Sequence, residues 1–520
     1  MALLQVILFL MLCAVALGWV ARHFKFPYPI ALVIGGGALG FVPRLPQLEF
    51  DPQFLLVLVL PPILYQAALL TSWRDFKANI RPIGLLAIGL VIVTTLAVGA
   101  TFKFFIADLP WAAAFALGAI VSPPDAVAAT AILSRLNIPR RVVKILEGES
   151  LVNDASGLVI YKFAVATVLT GAFSLWQASL EFVQVTVGGV VIGFVLGRLF
   201  VFIHRYLGDA FIEVLTTLAV PYVVYITAES AHASGVLAVV TAGLVRGRYS
   251  PEIVSAEMRI IARSVWNLLV FLLNSLIFIL IGVQISGITA RLTGYSMAEI
   301  FFYGTLVSVV AIGVRFAWVY PATYLPLLWR ARRGERVEPP RPGEVFIMSW
   351  CGMRGIVSLA AALGLPAVLD DGSAFPERDL IIFLTFVVIA VTLVLQGLTL
   401  KPLIRSLRLG TDWSLQEERQ RARMALGKAA IAAIDALAVE EDIPDAVAER
   451  IRAEFAEKIT LSVPSGLVLT QPGSDNAKRL RQAAVWAERQ ELIRVWRDNQ
   501  ISDEVLHHLE EDLDYQESRI

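Results

Sequence analysis

Within six residues of one apolar stretch, Glu149, Ser150, Asn153 and Asp154 place two carboxylates, a hydroxyl and a carboxamide where lipid-like side chains otherwise prevail. An ionised carboxylate near a bilayer midplane costs about 2.5–3.5 kcal/mol on the insertion scale, so a chain keeps one there chiefly to handle ions or protons. Ser150 and Asp154 are four apart, as are Glu149 and Asn153, so each pair shares a helix stripe. Two other apolar stretches are interrupted beside a charge, one by Ser122-Pro123-Pro124-Asp125 and one by Gly352-Met353-Arg354-Gly355. Pro123 and Pro124 remove two amide donors and obstruct the preceding turn, which frees carbonyl oxygens able to ligate a cation. The chemistry that suits this set is reversible exchange of a small monovalent cation for a proton, since both compete for the same carboxylate oxygens. Burial and a neighbouring cation act in opposite directions on a carboxyl, and together they can poise Asp154 near working pH. The expectation is that Asp154 holds a proton or a cation in turn, with the cation at Asp154 and Asp125. Asn153, Ser150, Glu149 and Ser122 complete the candidate cation- and proton-binding set. Glu149 is expected to pair with Arg354, and Asp125 can also cap a half-helix N-terminus. Arg315, mid-span with no acid near it in sequence, reads as a second structural counter-charge without an identifiable partner.

The elements that must position these groups are membrane spans. The chain is 57% hydrophobic and only 17% charged, against roughly 25% charged in soluble proteins. Apolar segments fall near 2–21, 27–43, 52–70, 83–106, 110–134, 145–171, 180–203, 212–231, 233–246, 262–287, 297–328, 345–366 and 379–403, which predicts thirteen spans. Ala2–Ala21 reads as the first span rather than a cleaved leader: no basic residue precedes it, and its apolar run exceeds the usual roughly 7–15 residues. Alternate connections divide the positive charge unequally. One set, from Arg22 and Lys25 to Arg336 and Arg341, holds 20 Lys and Arg; the other holds Arg44, Lys103, Arg291 and Arg378. Because cytoplasmic loops retain positive charge, the N-terminus is expected outside and the C-terminus inside. An odd number of spans lets two six-helix units lie in opposite orientations with one span between them. The breaks then fall in spans 5 and 12, seven apart, as in transporters built from inverted repeats. Asp154 is about ten residues from the inner end of span 6, roughly 15 Å in at about 1.5 Å per residue. Asp125 and Arg354 sit at a similar depth.

The string Glu147-Gly148-Glu149-Ser150-Leu151-Val152-Asn153-Asp154, with Asp125 upstream and Gly352-Met353-Arg354-Gly355 downstream, resembles the cation:proton antiporter-1 family of sodium/proton exchangers in its bacterial branch. The resemblance covers most of residues 1–408. It implies a 13-helix elevator-type antiporter, usually homodimeric, whose Asn-Asp pair goes with electroneutral exchange. Two departures stand out. Many relatives carry Thr-Asp-Pro at the broken helix, whereas here Pro124 precedes Asp125 and Ala126 follows, so Ser122 or a carbonyl must replace the Thr ligand. Span 10 reads Leu273-Asn274-Ser275-Leu276, where eukaryotic exchangers tend to have a Glu, so no role of that acid carries over.

Residues 409–520 carry 14 Lys and Arg against 22 Asp and Glu, leaving 30 against 22 for residues 1–408. Helical apolar spacing over 415–437, 445–460 and 476–499, broken at Gly466 and Pro472-Gly473, predicts a cytosolic helical domain with an acidic end at 510–517. Regulation or dimer support is its expected role. Cys13 and Cys351 allow no disulfide framework, the five His lack metal-ligand spacing, and no Gly-rich phosphate loop occurs, so no cofactor is expected. His232-Ala233-Ser234-Gly235 has no base or oxyanion motif with it, which argues against an embedded enzyme. Broken helices with mid-depth carboxylates suit a carrier better than a channel. Lys162 is expected to snorkel, and Gly188, Gly189, Gly193 and Gly197 to allow close helix contact. The sequence therefore points to a sodium/proton antiporter of the plasma membrane, with monovalent cations, protons and lipid as its partners and no nucleic acid. Potassium/proton exchange on the same fold is the nearest alternative.

Overall fold

In a computed structural model the chain is described except at residues 1, 25–26, 41, 43–51, 126–128, 131–132, 134–137, 172–173, 293, 336–338, 370–371, 408, 410–413 and 462–473. Lys25, Arg44, Arg135 and Arg336 of the charge tally, Ala126 of the motif, and Gly466 and Pro472-Gly473 lie outside the described residues. An isolated bridge between Val368 and Ala374 aside, the described residues are helix and connection. The helices are α1 (Ala2–His23), α2 (Tyr28–Gly40), α3 (Pro52–Leu70), α4 (Trp73–Ala78), α5 (Ile80–Phe105), α6 (Trp111–Val121) and α7 (Arg140–Thr170). Next come α8 (Leu175–His204), α9 (Ala210–Ser230), α10 (Gly235–Ile253), α11 (Ala256–Arg291) and α12 (Met297–Arg332). After the short α13 (Pro342–Trp350) and α14 (Ile356–Leu363), α15 (Arg378–Leu407) leads to α16 (Ser414–Glu440), α17 (Asp445–Leu461), α18 (Asp475–Arg497) and α19 (Asp503–Glu517). Among the described residues seven helices are long and apolar enough to cross a membrane, and four shorter apolar ones accompany them.

The chain forms two compact units. One comprises residues 1–198, 219–245 and 268–411; the other gathers 199–218, 246–267 and 412–520. In the first, the chemistry of the sequence decides where helices stop. α6 ends at Val121, ahead of Pro123 and Pro124, and helix resumes at 129–130. α13 ends at Trp350, and α14 begins only after the non-helical 351–355. α7, by contrast, runs unbroken for 31 residues to a left-handed Gly171, where φ is 68°. It carries Glu149, Ser150, Asn153 and Asp154 on a continuous rod.

Glycine sets the closest approaches. A Cβ on Gly36 would lie 2.4 Å from the carbonyl oxygen of Ile279, and one on Gly40 would lie 2.6 Å from that of Val283. The step of four on both sides makes α2 and α11 parallel. α8 and α10 repeat the pattern, with Gly189 against Ser234, Gly193 against Ala238 and Gly197 against Ala242. The expected close contact of the span-7 glycines is therefore made, and backbone approach of this kind is what small residues permit in lipid.

In the second unit α16, α17, α18 and α19 enclose an apolar core that includes Ile434, Ile451, Leu480, Leu492, Val505 and Leu509. The acidic residues 510–517 form the last turns of a packed helix. Asp514, buried on α19, accepts from Arg259 Nε at 2.8 Å, from Arg259 Nη2 at 2.6 Å and from Arg489 Nη2 at 2.9 Å. Arg263 pairs with Glu511 at 2.7 Å.

The glycine contacts generate a paired prediction on one helix. Gly282→Ala would place a Cβ 2.4 Å from Gly37 N and Val33 O, and should destabilise by about 1–3 kcal/mol because only backbone lies in its way. Gly287→Ala meets nothing within 4 Å and should be neutral or stabilising by about 0.5–1 kcal/mol. Melting temperatures of the purified protein in detergent test the opposite signs.

Candidate functional site

Three elements converge on the carboxylates. Asp154, 6% exposed, and Asn153, fully buried, lie in the middle of α7. Asp125, partly exposed, lies in the break after α6. The third element is the break between α13 and α14. Asp125 N donates to Met353 O at 2.7 Å, so the two interruptions touch through their backbones. Asn153 Nδ2 donates to Pro124 O at 2.8 Å, tying α7 to the proline break. That bond takes up a carbonyl the prolines set free and leaves Asn153 Oδ1 buried with no hydrogen-bond partner among the described residues. Asp125 and Asp154 are near enough for the charge of one to act on the other. Ser122, buried at the end of α6, donates its Oγ–H to Ala119 O at 3.0 Å and keeps lone pairs for a further contact. Ser150 is partly buried one turn before Asp154.

Gly355 sets the seat of Asp125. A Cβ there would fall 1.8 Å from Asp125 Oδ2, so the carboxylate occupies the space a side chain would take. Gly157 plays a milder part, since its Cβ would stand 3.1 Å from Pro123 Cγ.

The expected pairing of Glu149 with Arg354 is corrected by the structure. Glu149 Oε1 and Oε2 accept from Arg315 Nη1 and Nη2 at 2.5 and 2.7 Å, and both side chains are 1% exposed. This is a two-point guanidinium–carboxylate fork, the strongest geometry such a pair offers. It gives Arg315 its missing partner and commits both Glu149 oxygens to structure, which disfavours Glu149 as a cation ligand. Arg315 Nε also donates to Met348 O, in the last turn of α13, at 3.1 Å. Arg354 serves the other half-helix. Its Nε donates to Val121 O, the last residue of α6, at 3.0 Å, its Nη2 to Ala311 O at 3.2 Å, and its Nη1 to Gly352 O. Each buried arginine thus satisfies carbonyls at the C-terminal end of a broken helix, where the dipole is negative.

One supporting residue escaped the sequence reading. Thr392 Oγ1, in a π-helical turn of α15, accepts from Arg354 N at 3.1 Å; a threonine in an apolar run gives no signal of such a role. Lys162, taken to snorkel, remains exposed but pairs with Glu229 at 3.0 Å.

Two carboxylates, an orphaned amide oxygen and hydroxyls thus lie at a crossing of interrupted helices. Fold and site together define a membrane carrier of the broken-helix class. A family model described as sodium/hydrogen exchanger, transmembrane, matches residues 7–406, and the chain belongs to that family. It is 32% identical over 529 residues to an uncharacterized Na+/H+ exchanger of Mycobacterium bovis, covering 99% of this chain and 96% of that one. It is 35% identical over 417 residues to a sodium, potassium, lithium and rubidium/H+ antiporter of Bacillus pumilus, covering 78% of this chain and 62% of the relative. The solved sodium proton antiporter MjNhaP1 from Methanocaldococcus jannaschii shares the fold, with a TM-score of 0.62 at 21% identity over 79% of this chain and all of that one.

Two substitutions separate support from seating. Arg315→Met strands a buried carboxylate and should cost about 3–5 kcal/mol, most of it recovered when Glu149→Met is added; unfolding of the two singles and the double reads the coupling. Gly355→Ala should lower exchange on the order of a hundredfold by displacing Asp125 about 1 Å or more, with a smaller fall in melting temperature than Arg315→Met. Transport in proteoliposomes and a thermal melt of the same preparation check both halves.

Proposed function

We propose that this chain is a sodium/proton antiporter of the plasma membrane that exchanges one monovalent cation for one proton by alternating access. The observation that carries the reading is the union of Asp154, Asp125 and Asn153 at the contact between two helix breaks. A carboxylate can hold a proton or share its oxygens with a cation, but an ion that needs those oxygens excludes the proton. Loading one species therefore releases the other, and the two move in opposite directions. Asn153 cannot take up a proton in this range, which supports one carboxyl exchanging one charge and hence electroneutral transport. Na+ would bind at Asp154 and Asp125, with Asn153 Oδ1, Ser150 and Ser122 as neutral oxygens, and with Arg315 and Arg354 as structural charges. No cofactor enters this scheme.

The architecture we assign is thirteen spans in two inverted six-helix repeats broken at spans 5 and 12, with the N-terminus outside and the C-terminus cytosolic. The parallel course of α2 with α11, and of α8 with α10, supports it, because spans 2 and 10, and 7 and 9, then cross in the same sense. Residues 1–408 form the antiporter domain. Residues 409–520 form a cytosolic helical domain suited to regulation or to supporting a homodimer. Potassium/proton exchange at the same site is the second reading, favoured by the range of cations in the name of the Bacillus pumilus relative.

The test is dequenching of a pH dye in proteoliposomes on addition of Na+, Li+ or K+, with and without a clamp on membrane potential. Asp154→Asn should abolish exchange for every cation, and the wild-type rate should not change under the clamp. Exchange surviving in Asp154→Asn would remove the site; a rate that followed the clamp would remove electroneutrality.

A further inference from the structure

The half-helix α14 brings to Asp125 a hydroxyl that has no part in the scheme so far. Gly355 is the N-cap of α14 and has no side chain of its own. Asp125 supplies what is missing, because a Cβ on Gly355 would fall 1.8 Å from Asp125 Oδ2 and 2.6 Å from its Cγ. The carboxyl therefore lies against the amide end of the helix, where negative charge is favoured. Ser358 stands three residues on, in the first turn of α14 and on the same face as the N-cap. Side chains on a helix lean towards its N-terminus, so the Ser358 hydroxyl leans towards the Asp125 carboxyl.

Contacts with α7 fix the depth. Pro124, next to Asp125, is held by Asn153, and the far end of α14 lies beside Tyr161, whose Oη is 3.6 Å from the place of a Cβ on Gly364. α14 thus runs along α7 from the level of Asn153 towards that of the Tyr161 hydroxyl, with Ser358 near the Asp154 end. The break also decides what the hydroxyl can do. Ser308, Ser349 and Thr385, buried in continuous helix, each donate to the carbonyl four residues back, at 2.7, 2.8 and 2.9 Å. For Ser358 that residue is Arg354, in the non-helical stretch 351–355, and the back-bond is not made. Ser358 is 1% exposed, and its Oγ has no hydrogen-bond partner among the described residues. Asn153 Oδ1 is orphaned in the same way. Two unspent neutral oxygens, one from α7 and one from α14, are left beside the carboxylates.

We propose that Ser358 Oγ is a ligand of the transported cation, a neutral oxygen that α14 adds to the carboxylates of Asp125 and Asp154. This rests on the antiport site at Asp154 and Asp125 proposed above. A lone serine in the apolar run after Gly355 carries no signal of such a role, which depends on the carboxyl of Asp125 standing in for the side chain that Gly355 lacks. Ser358 does not change charge in the working range. It therefore acts on how tightly the cation is held and on which cation is preferred, through the number of oxygens around it, and not on the proton taken up by the carboxylates.

The full-length protein in proteoliposomes decides it, with Ser358→Ala and Ser358→Thr compared with wild type for Na+, Li+ and K+ and the same preparations melted in detergent. Ser358→Ala should raise the apparent KM for Na+ about tenfold, equivalent to about 1.4 kcal/mol, and alter the order among the three cations. Maximal rate should stay within about twofold. Its melting temperature should hold or rise, because the change removes a buried hydroxyl that has no partner; a serine with a purely structural role would lose stability with its hydroxyl. Ser358→Thr, which keeps the oxygen, should recover most of the affinity. An unchanged KM and cation order in Ser358→Ala overturns the proposal, as does a higher KM that comes with a lower melting temperature. So does a Ser358→Thr that binds as weakly as Ser358→Ala while melting at the wild-type temperature. Asp154→Asn in the same series keeps the two readings apart: inert Asp154→Asn with an unchanged KM in Ser358→Ala sinks only the added ligand, whereas active Asp154→Asn sinks the site itself.

Discussion

The structure depends on satisfying backbone groups where no water is at hand. A helix that breaks inside a membrane exposes carbonyls at one end and amides at the other, and each unpaired group costs several kcal/mol in hydrocarbon. Here two breaks are set against each other, so that Asp125 N reaches Met353 O. Arg354 and Arg315 extend their guanidinium groups to Val121 O and Met348 O. The arginines are themselves costly, and each is made tolerable differently. Arg315 is neutralised by the Glu149 fork, whereas Arg354 is spread over carbonyls from three segments. Remove either and the crossing loses both its charge balance and its last-turn hydrogen bonds.

In that arrangement Arg315 pairs with Glu149 and Arg354 with carbonyl oxygens, so neither guanidinium is committed to Asp154. Glu149 takes the counter-ion role instead, five residues before Asp154 on the same rod. Asn153 braces the break without a charge. Structure and chemistry are thus divided among adjacent residues of a single eight-residue string.

The string itself was legible in the sequence because its polarity violates its surroundings, and the breaks were legible because Pro and Gly have local conformational consequences. The pairing across helices was not. Glu149 and Arg315 are 166 positions apart, and depth alone put Arg354 at an equal claim; only the path of α12 past α7 separates the two arginines. Thr392 is neutral, and neutral polar residues in apolar spans are too common to flag. The acidic end of the chain was visible as charge but not as structure, because Asp514 becomes a buried hub only when Arg259 and Arg489 are brought to it from α11 and α18.

Two kinds of packing in the membrane unit bear on how such a site could move. α2 against α11, and α8 against α10, touch backbone to backbone over two or more turns, with glycine where any Cβ would collide. Contacts of that sort are stiff, because no rotamer change can relieve a shift along the helix axis. The crossing of the breaks is held instead by directional bonds from two arginines, one asparagine and one threonine. Neither set of contacts need be broken for its own segments to shift together, which suits the alternating access proposed above better than local unwinding does.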